Sequence, residues 1–394
     1  MKSILIVTEV FYPENGLIND FVKELQERGY KVDVLTQYPS YPESVIFPGY
    51  KNEYYSIERW GEVTIHRFKL VEGYKNSIIK KILNYWTFVK VGKKIARKIG
   101  NEYDHILVYQ TGPLTVGLPA VEIKKKFRKA LTIWTFDIWP DTVYAYGFPK
   151  IFPLTYCLDR FIKKIYSSCD NILVSSEGFI KSIQKYVPDK EILYSPNWMI
   201  KEEQEVCPLR LDRGKFNFTF TGNISVSQNL ENVLLGWELA DLDNAILNIV
   251  GDGSSLQTLK QIIEERKIKN VKLFGRYPSN QIADILSQSD TLVLSLIPNH
   301  GIDKTEPFKI QSYLQSGKPI LGVIAGAGRC IILDNQLGLC SSPTDITDIA
   351  EKFRNSLPYA LENYSRIALS SKRLIKERFN RELIIDRVIS IIEK

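Results

Sequence analysis

Thr305-Glu306-Pro307-Phe308-Lys309-Ile310-Gln311-Ser312-Tyr313-Leu314-Gln315-Ser316-Gly317-Lys318-Pro319-Ile320 reads as a short helix with marked ends that runs into a strand. Pro307 suits the first helical position. Gly317 suits the left-handed residue past the last turn, and Pro319 forbids continuation. The apolar run Ile320-Leu321-Gly322-Val323-Ile324 follows as a strand. Ile310, Tyr313 and Leu314 share one face at helical spacing, so that face is core. Lys309 is the exception, because a cation in the first turn sits at the wrong end of the helix dipole. Free backbone N–H groups at a helix start favour an anion, and a lysine beside them can take its second charge. The choice is between a solvated surface lysine and a diphosphate site.

Upstream of this stretch the same pattern repeats. Phe216 to Phe220 is a strand ending in Thr221-Gly222-Asn223-Ile224, with a helix over roughly Leu230 to Leu239. Ala245 to Val250 is a strand ending in Gly251-Asp252-Gly253, Val271 to Phe274 one ending in Gly275-Arg276, and Thr291 to Leu296 another. Glycine turns at strand ends allow close backbone approach to a ligand. Gly222, Gly251, Gly253 and Gly275, taken with Lys309, describe a pocket for a nucleotide diphosphate.

The first half of the chain is a second sheet of the same class. Ile4 to Val7 is a continuous apolar run, as in a parallel strand covered on both faces. The loop Phe11 to Gly16, a helix ending at Gly29, and the strand Val32 to Leu35 complete a strand–loop–helix–strand unit without GxGxxG. Ligands in such sheets sit at the carboxyl ends of strands, which puts Glu9 to Gly16 at a cleft. Residues 38–60 are expected to be a long Tyr/Pro-rich loop. His105 to Tyr109, Leu131 to Thr135 and Asn171 to Val174 are strands. The second of these runs into Phe136-Asp137-Ile138-Trp139-Pro140-Asp141, whose two carboxylates sit where a cleft is expected. A structural role for either, as helix cap or loop satisfier, competes with a chemical one.

Residues 75–99 combine Lys75, Lys80, Lys81, Lys90, Lys93, Lys94, Arg97 and Lys98 with Ile78, Ile79, Ile82, Tyr85, Trp86 and Phe88, and contain no acidic residue. A basic amphipathic helix with interfacial aromatics reads as a membrane-surface element. The competing reading is an outer helix with merely solvated lysines. The polar stretch 199–213 is expected to be a linker. The boundaries expected are a Rossmann-like lobe over 1–200, a second Rossmann-like lobe over 201–375, and a last helix over 376–394 that packs back on the first lobe.

Bulk properties exclude several classes. The 394 residues carry 44% hydrophobic and 25% charged side chains, ordinary for a globular protein of two or three domains. A net charge of +7 is too mild to argue for nucleic acid. Cys157, Cys169, Cys207, Cys330 and Cys340 lack metal or disulfide spacing, and only His66, His105 and His300 are present, so a metal site is not expected. The start of the chain is too short and too soon acidic for a signal peptide, and no run is long enough to span a membrane.

These segments, in this order, resemble a family-4 retaining glycosyltransferase of the bacterial surface-polysaccharide (O-antigen or capsule) branch. The resemblance rests on Gly16, Phe136 to Asp141, Pro196-Asn197-Trp198, Phe220 to Asn223, Ile249 to Gly253, Phe274 to Arg276, and Pro307 to Leu314 with Gly317-Lys318-Pro319. It implies an α/β chain of the GT-B fold, with two Rossmann-like lobes facing across a cleft. It also implies retaining transfer from a nucleotide-diphosphate sugar, with no cofactor and no metal. Uridine is the base expected, with an N-acetylhexosamine or a deoxy-amino sugar as the group transferred. The acceptor implied is a polyprenyl-diphosphate-linked saccharide, which places the chain in the cytoplasm, peripheral on the inner face of the cell membrane. The chain departs from the family where relatives carry two glutamates separated by seven residues. Lys304 and Ser312 stand there, with Glu306 two positions out of register, and Asn223 and Gln228 stand near where an Arg and a Lys hold phosphates.

The leaving diphosphate gains negative charge that preorganised donors must stabilise. Lys309 and Arg276 are expected in that role, with Gly222, Asn223, Gly251, Gly253, Gly275, Lys304, Glu306 and Ser312 around the donor. Asp137 is the expected acceptor-side base or orienting group, with Asp141 and Gly16 beside it. Two other classes compete: a nucleotide-sugar 2-epimerase on the same fold, which three scattered histidines disfavour, and a non-catalytic nucleotide-sugar-binding protein.

Overall fold

Ile4-Leu5-Ile6-Val7 is fully buried because the first strand, β1 (Ser3–Thr8), has parallel neighbours on both sides. The computed structural model describes residues 2–145, 147–200, 204–298 and 301–393. Residues 201–203 of the expected linker, and His300, lie outside them. The chain divides into two units, Met1–Asn197 with Glu382–Lys394, and Trp198–Arg381.

In the first unit, α1 (Leu17–Glu27) leads to β2 (Lys31–Gln37), β3 (Tyr55–Trp60) and β4 (Val63–Phe68). Then come α2 (Ile78–Ile99), β5 (His105–Gln110), α3 (Gly117–Phe127), β6 (Ala130–Thr135), α4 (Asp141–Ala145) and α5 (Leu154–Ser168). β7 (Asn171–Val174), α6 (Ile180–Gln184) and β8 (Ile192–Tyr194) complete it. The sheet order is β3-β4-β2-β1-β5-β6-β7-β8, parallel except for β3. The expected loop over 38–60 is therefore interrupted. Tyr55 to Trp60 alternates as an antiparallel edge strand, and its partly exposed residues gave too short an apolar run to be seen in the sequence.

In the second unit, β9 (Phe216–Thr221), α7 (Leu230–Ala240), β10 (Ala245–Val250), α8 (Leu256–Arg266), β11 (Val271–Gly275) and α9 (Ser279–Ser287) come first. β12 (Thr291–Ser295), α10 (Lys309–Ser316), β13 (Ile320–Val323), α11 (Gly326–Asp334), β14 (Gly338–Ser341) and α12 (Ile346–Glu377) follow. The order β11-β10-β9-β12-β13-β14 is parallel throughout. Its core is Phe218, Trp237 and Phe353, packed edge to face. α12 runs through residue 375, where the sequence suggested a boundary. The residues there are good helix formers, and no glycine or proline interrupts them before Asn380. The chain returns as α13 (Arg381–Glu393). Arg28 pairs with Glu382 at 3.3 Å and with Asp386 at 2.5 Å, and Arg387 donates to the Tyr194 carbonyl at 3.0 Å.

Candidate active site

α10 starts at Lys309 itself, two residues later than Pro307 suggested, with Phe308 at its cap position and Gly317 at φ 65° closing it. Ile310, Tyr313 and Leu314 are buried, which fixes the helix against β12 and β13 and turns Lys309 toward the end of β9. There its Nζ lies 3.9 Å from the centroid of the Phe220 ring and donates to Oε1 of Gln228. A Cβ at position 222 would lie 2.6 Å from Lys309 Cε and 2.8 Å from its Nζ. Gly222, at φ 134°, is thus the space that the lysine occupies. Burial pulls the ammonium down from its ordinary 10.5 to about 7, and among the described residues no carboxylate offsets the loss of water. Such a group is poised to accept an anion as its counter-charge.

The other glycine turns also have a packing cause. A Cβ on Gly251 would stand 1.8 Å from the Gly222 carbonyl oxygen, and one on Gly253 2.2 Å from that of Ile224. These residues are small because the neighbouring turn presses against them. Gly222 N–H donates to Val250 at 2.9 Å, and Ile224 N–H donates to Asp252 at 2.8 Å. Gly251 N–H in turn donates to Gly275 at 2.7 Å, so the three turns form one continuous rim across β9, β10 and β11. Gly275, at φ 73°, has open space where a Cβ would be. Asn223 is exposed on the rim.

The remaining donor-side residues divide. Arg276 is exposed just past the end of β11, two strands from β9. Lys304 closes a single 3-10 turn, Ile302–Lys304, ahead of α10. Ser312 donates its hydroxyl to the Lys309 carbonyl at 2.9 Å, which is helix-internal. The Glu306 carboxylate, almost fully buried, accepts from Arg378 at 2.9 Å near the end of α12. A buried carboxylate needs such a partner, and the guanidinium supplies it.

In the first unit, Asp137 follows β6 and accepts from the Thr142 hydroxyl, with the Ile138 N–H and the Trp139 side chain also bonded to it. Gln110, at the end of β5, ties the backbone there by donating to Gly112 at 2.6 Å and to the Asp137 carbonyl at 3.1 Å. Glu9 follows β1, and its Oε2 lies 2.8 Å from where a Cβ on Gly112 would be, so Gly112 leaves room for that carboxylate. β1, β5 and β6 are neighbours, so Glu9, Gly112 and Asp137 meet on one edge. Burial raises Glu9 to about 7, with Glu14 and Asp137 adding repulsion and Lys81 of α2 opposing it. Burial likewise raises Asp137 to about 6, against its hydrogen bonds and Lys81. Raised carboxyls of this kind mark candidates for acid–base chemistry. Asp141 opens α4. Gly16 caps α1 in extended backbone at φ −170°, a conformation open to any residue. The turn is held instead by Glu14, which accepts from Ser40 N–H at 2.7 Å and Tyr41 N–H at 2.6 Å. Sequence reasoning put Glu9 at a cleft and Gln228 near the phosphate-holding positions without giving either a role, and it missed Lys81 and Phe220 as site residues. Glu9 carried a signal, as the first charge after a fully buried strand. Lys81 and Phe220 depended on tertiary placement.

Among the described residues no His, Cys, Asp and Glu group is arranged to hold a metal, and no helix is long and apolar enough to cross a membrane.

Residues 202–367 match the family Glycosyl transferases group 1, so the second unit carries a glycosyltransferase group 1 domain. The chain is 27% identical over 252 residues to "Probable glycosyltransferase WbjE" of Pseudomonas aeruginosa, covering 60% of this chain and 62% of that one. It is 22% identical over 410 residues to "Putative colanic acid biosynthesis glycosyl transferase WcaI" of Escherichia coli K12, covering 98% and 99%. Among solved structures, sucrose-phosphate synthase from Thermosynechococcus elongatus superposes with a TM-score of 0.73 at 15% identity, over 99% of this chain and 98% of that one. The Anabaena protein HepE in complex with UDP superposes with a TM-score of 0.68 at 13% identity, over 100% of both chains. The fold is the GT-B glycosyltransferase fold, built from two Rossmann-like parallel-sheet units.

Proposed function

We propose that this chain transfers a sugar from a uridine-diphosphate donor, with retention of anomeric configuration, onto a lipid-linked saccharide in bacterial surface-polysaccharide synthesis. The observation that carries the reading is the Lys309 ammonium. It is buried against the Gly222 turn, and among the described residues no carboxylate offsets its loss of water. When the bond from the sugar C1 to the phosphate oxygen breaks, the leaving oxygen gains charge, and Lys309 stabilises it. The new bond forms from C1 to an acceptor hydroxyl, whose proton passes to the leaving phosphate or to a carboxylate. Asp137 and Glu9 are the carboxyls of the first unit that we assign to that role, because burial raises both, Asp137 to about 6 and Glu9 to about 7. The relatives named for glycosyl transfer and colanic acid biosynthesis support the class of product.

α2 supports a lipid acceptor. Its second half is buried on α3 through Phe88, Val91 and Ile95, while Ile78, Ile79, Ile82 and Trp86 of its first half face outward among lysines. This is the pattern of an element lying on an anionic membrane surface. The test is incubation of the pure protein with UDP-sugars and a lipid extract. A glycosylated lipid formed together with free UDP supports the reading. UDP release without a lipid product reduces it to donor hydrolysis, and no UDP binding refutes it.

A further inference from the structure

The first half of α2 is not the sole apolar surface of its unit. The segment entering α5 presents Ile151, Phe152, Leu154 and Tyr156 outward, with Phe152 80% exposed, and residues 147–158 contain Lys150 but no acidic residue. The topology brings the two surfaces to one side. α2, α3 and α5 precede β5, β6 and β7, three adjacent parallel strands, so right-handed connections lay the helices side by side on one face. Their packing agrees. A Cβ on Gly92 of α2 would meet Pro119 of α3 at 2.9 Å, one on Gly117 of α3 would meet Ile165 of α5 at 3.2 Å, and Lys93 of α2 lies within charge range of Lys164 of α5. Each helix starts at the carboxyl edge of the strands, so the exposed starts of α2 and α5 flank the buried start of α3 at the same edge as Glu9 and Asp137.

Cations accompany the aromatic rings on both elements. Lys90 lies 4.4 Å over the Trp86 ring, Lys150 4.8 Å over Tyr144, and the Arg160 guanidinium 5.6 Å over Tyr156. Apolar side chains rimmed by lysine and arginine suit the boundary between acyl chains and anionic headgroups, where amphipathic rings and cations both have partners. A protein partner matched to this edge would need acidic side chains around an apolar centre; a bilayer supplies that arrangement without a specific sequence.

We infer that the chain holds an anionic membrane at two points, the first turns of α2 and the Ile151–Tyr156 segment, so that the carboxyl edge carrying Glu9 and Asp137 is presented to the lipid surface. This rests on the reading of α2 given above. Two attachments fix an orientation where one would leave rotation free. Co-sedimentation with phosphatidylcholine vesicles containing about one-quarter phosphatidylglycerol tests it. The doubly substituted Ile151→Ser/Phe152→Ser protein should need about tenfold more lipid for half-binding, Ile82→Ser/Trp86→Ser should behave alike, and the fourfold variant should stay unbound. The substituted side chains are exposed, so circular dichroism and the thermal midpoint should not change. Wild-type binding by the Ile151/Phe152 variant, with loss in the α2 variant, overturns the second point and leaves the α2 reading standing. Unchanged binding in the α2 variant overturns the α2 reading and with it the two-point attachment. A wild-type protein that ignores vesicles, and whose light-scattering dimer is dissolved by Ile151→Ser/Phe152→Ser, assigns the face to a second copy and overturns both.

Discussion

Replacing Lys309 by Met should stabilise the ligand-free protein and abolish its affinity for uridine diphosphate. The two effects have opposite signs because one group causes both. With a folded pKa of about 7 against 10.5, Lys309 is neutral in the folded chain and protonated in the unfolded chain between those values. The unfolded state therefore binds more protons there, and stability rises with pH from about 7 to about 10.5. At pH 7.5 the difference spans about three pK units, or roughly 4 kcal/mol. The side chain is partly buried and keeps its bond to Gln228, so about half of that, ~2 kcal/mol, is the working figure. For a unit of this size that is a rise of about 4–8 °C in thermal midpoint at pH 7.5. Scanning fluorimetry at several pH values reads it, and the gap between the wild type and Lys309→Met should close as pH approaches 10.5. Calorimetry should show uridine diphosphate binding to the wild type alone. A destabilised Lys309→Met protein, or one that binds the nucleotide normally, would refute the burial argument.

Gly222→Ala and Gly251→Ala should separate function from folding. The first displaces the flexible end of Lys309 and strains the backbone at φ 134°, so uridine diphosphate affinity should fall at least tenfold with only a modest loss of stability. The second drives a methyl into the Gly222 carbonyl and should cost several kcal/mol of stability, read by denaturant unfolding. If Asp137 works as a carboxylate, kcat/KM of the wild type should rise with pH through about 6, and Asp137→Asn should lose activity together with that limb of the profile. Arg378→Ala leaves the Glu306 carboxylate buried without that guanidinium and should destabilise by about 3 kcal/mol, largely restored by adding Glu306→Gln; an additive double variant would contradict the pairing.

The fold was readable in the chain because fully buried strands such as Ile4 to Val7 and Ala245 to Val250 are unbroken apolar runs, and each ends at a charge or a glycine. Edge elements were not readable: Tyr55 to Trp60 is half exposed, and its alternation is too short to separate from a loop. At the site, the sequence placed Lys309 on a helix start and Asp137 at a strand end. It could not show that Gly222 makes room for a side chain or that Gly251 and Gly253 make room for backbone, since identical residues serve both needs. The pairing of Glu306 was hidden for a related reason. Its partner Arg378 stands 72 positions away in the chain, and no local pattern connects them.

The central claim is that Lys309 is a buried amine that becomes a cation when a diphosphate supplies its counter-charge. An NMR titration of its ε-methylene carbon, with and without uridine diphosphate, measures this directly. A midpoint near 7 that climbs well above 9 once the nucleotide binds is the predicted result. An ordinary lysine titration near 10.5, unmoved by the nucleotide, would contradict it.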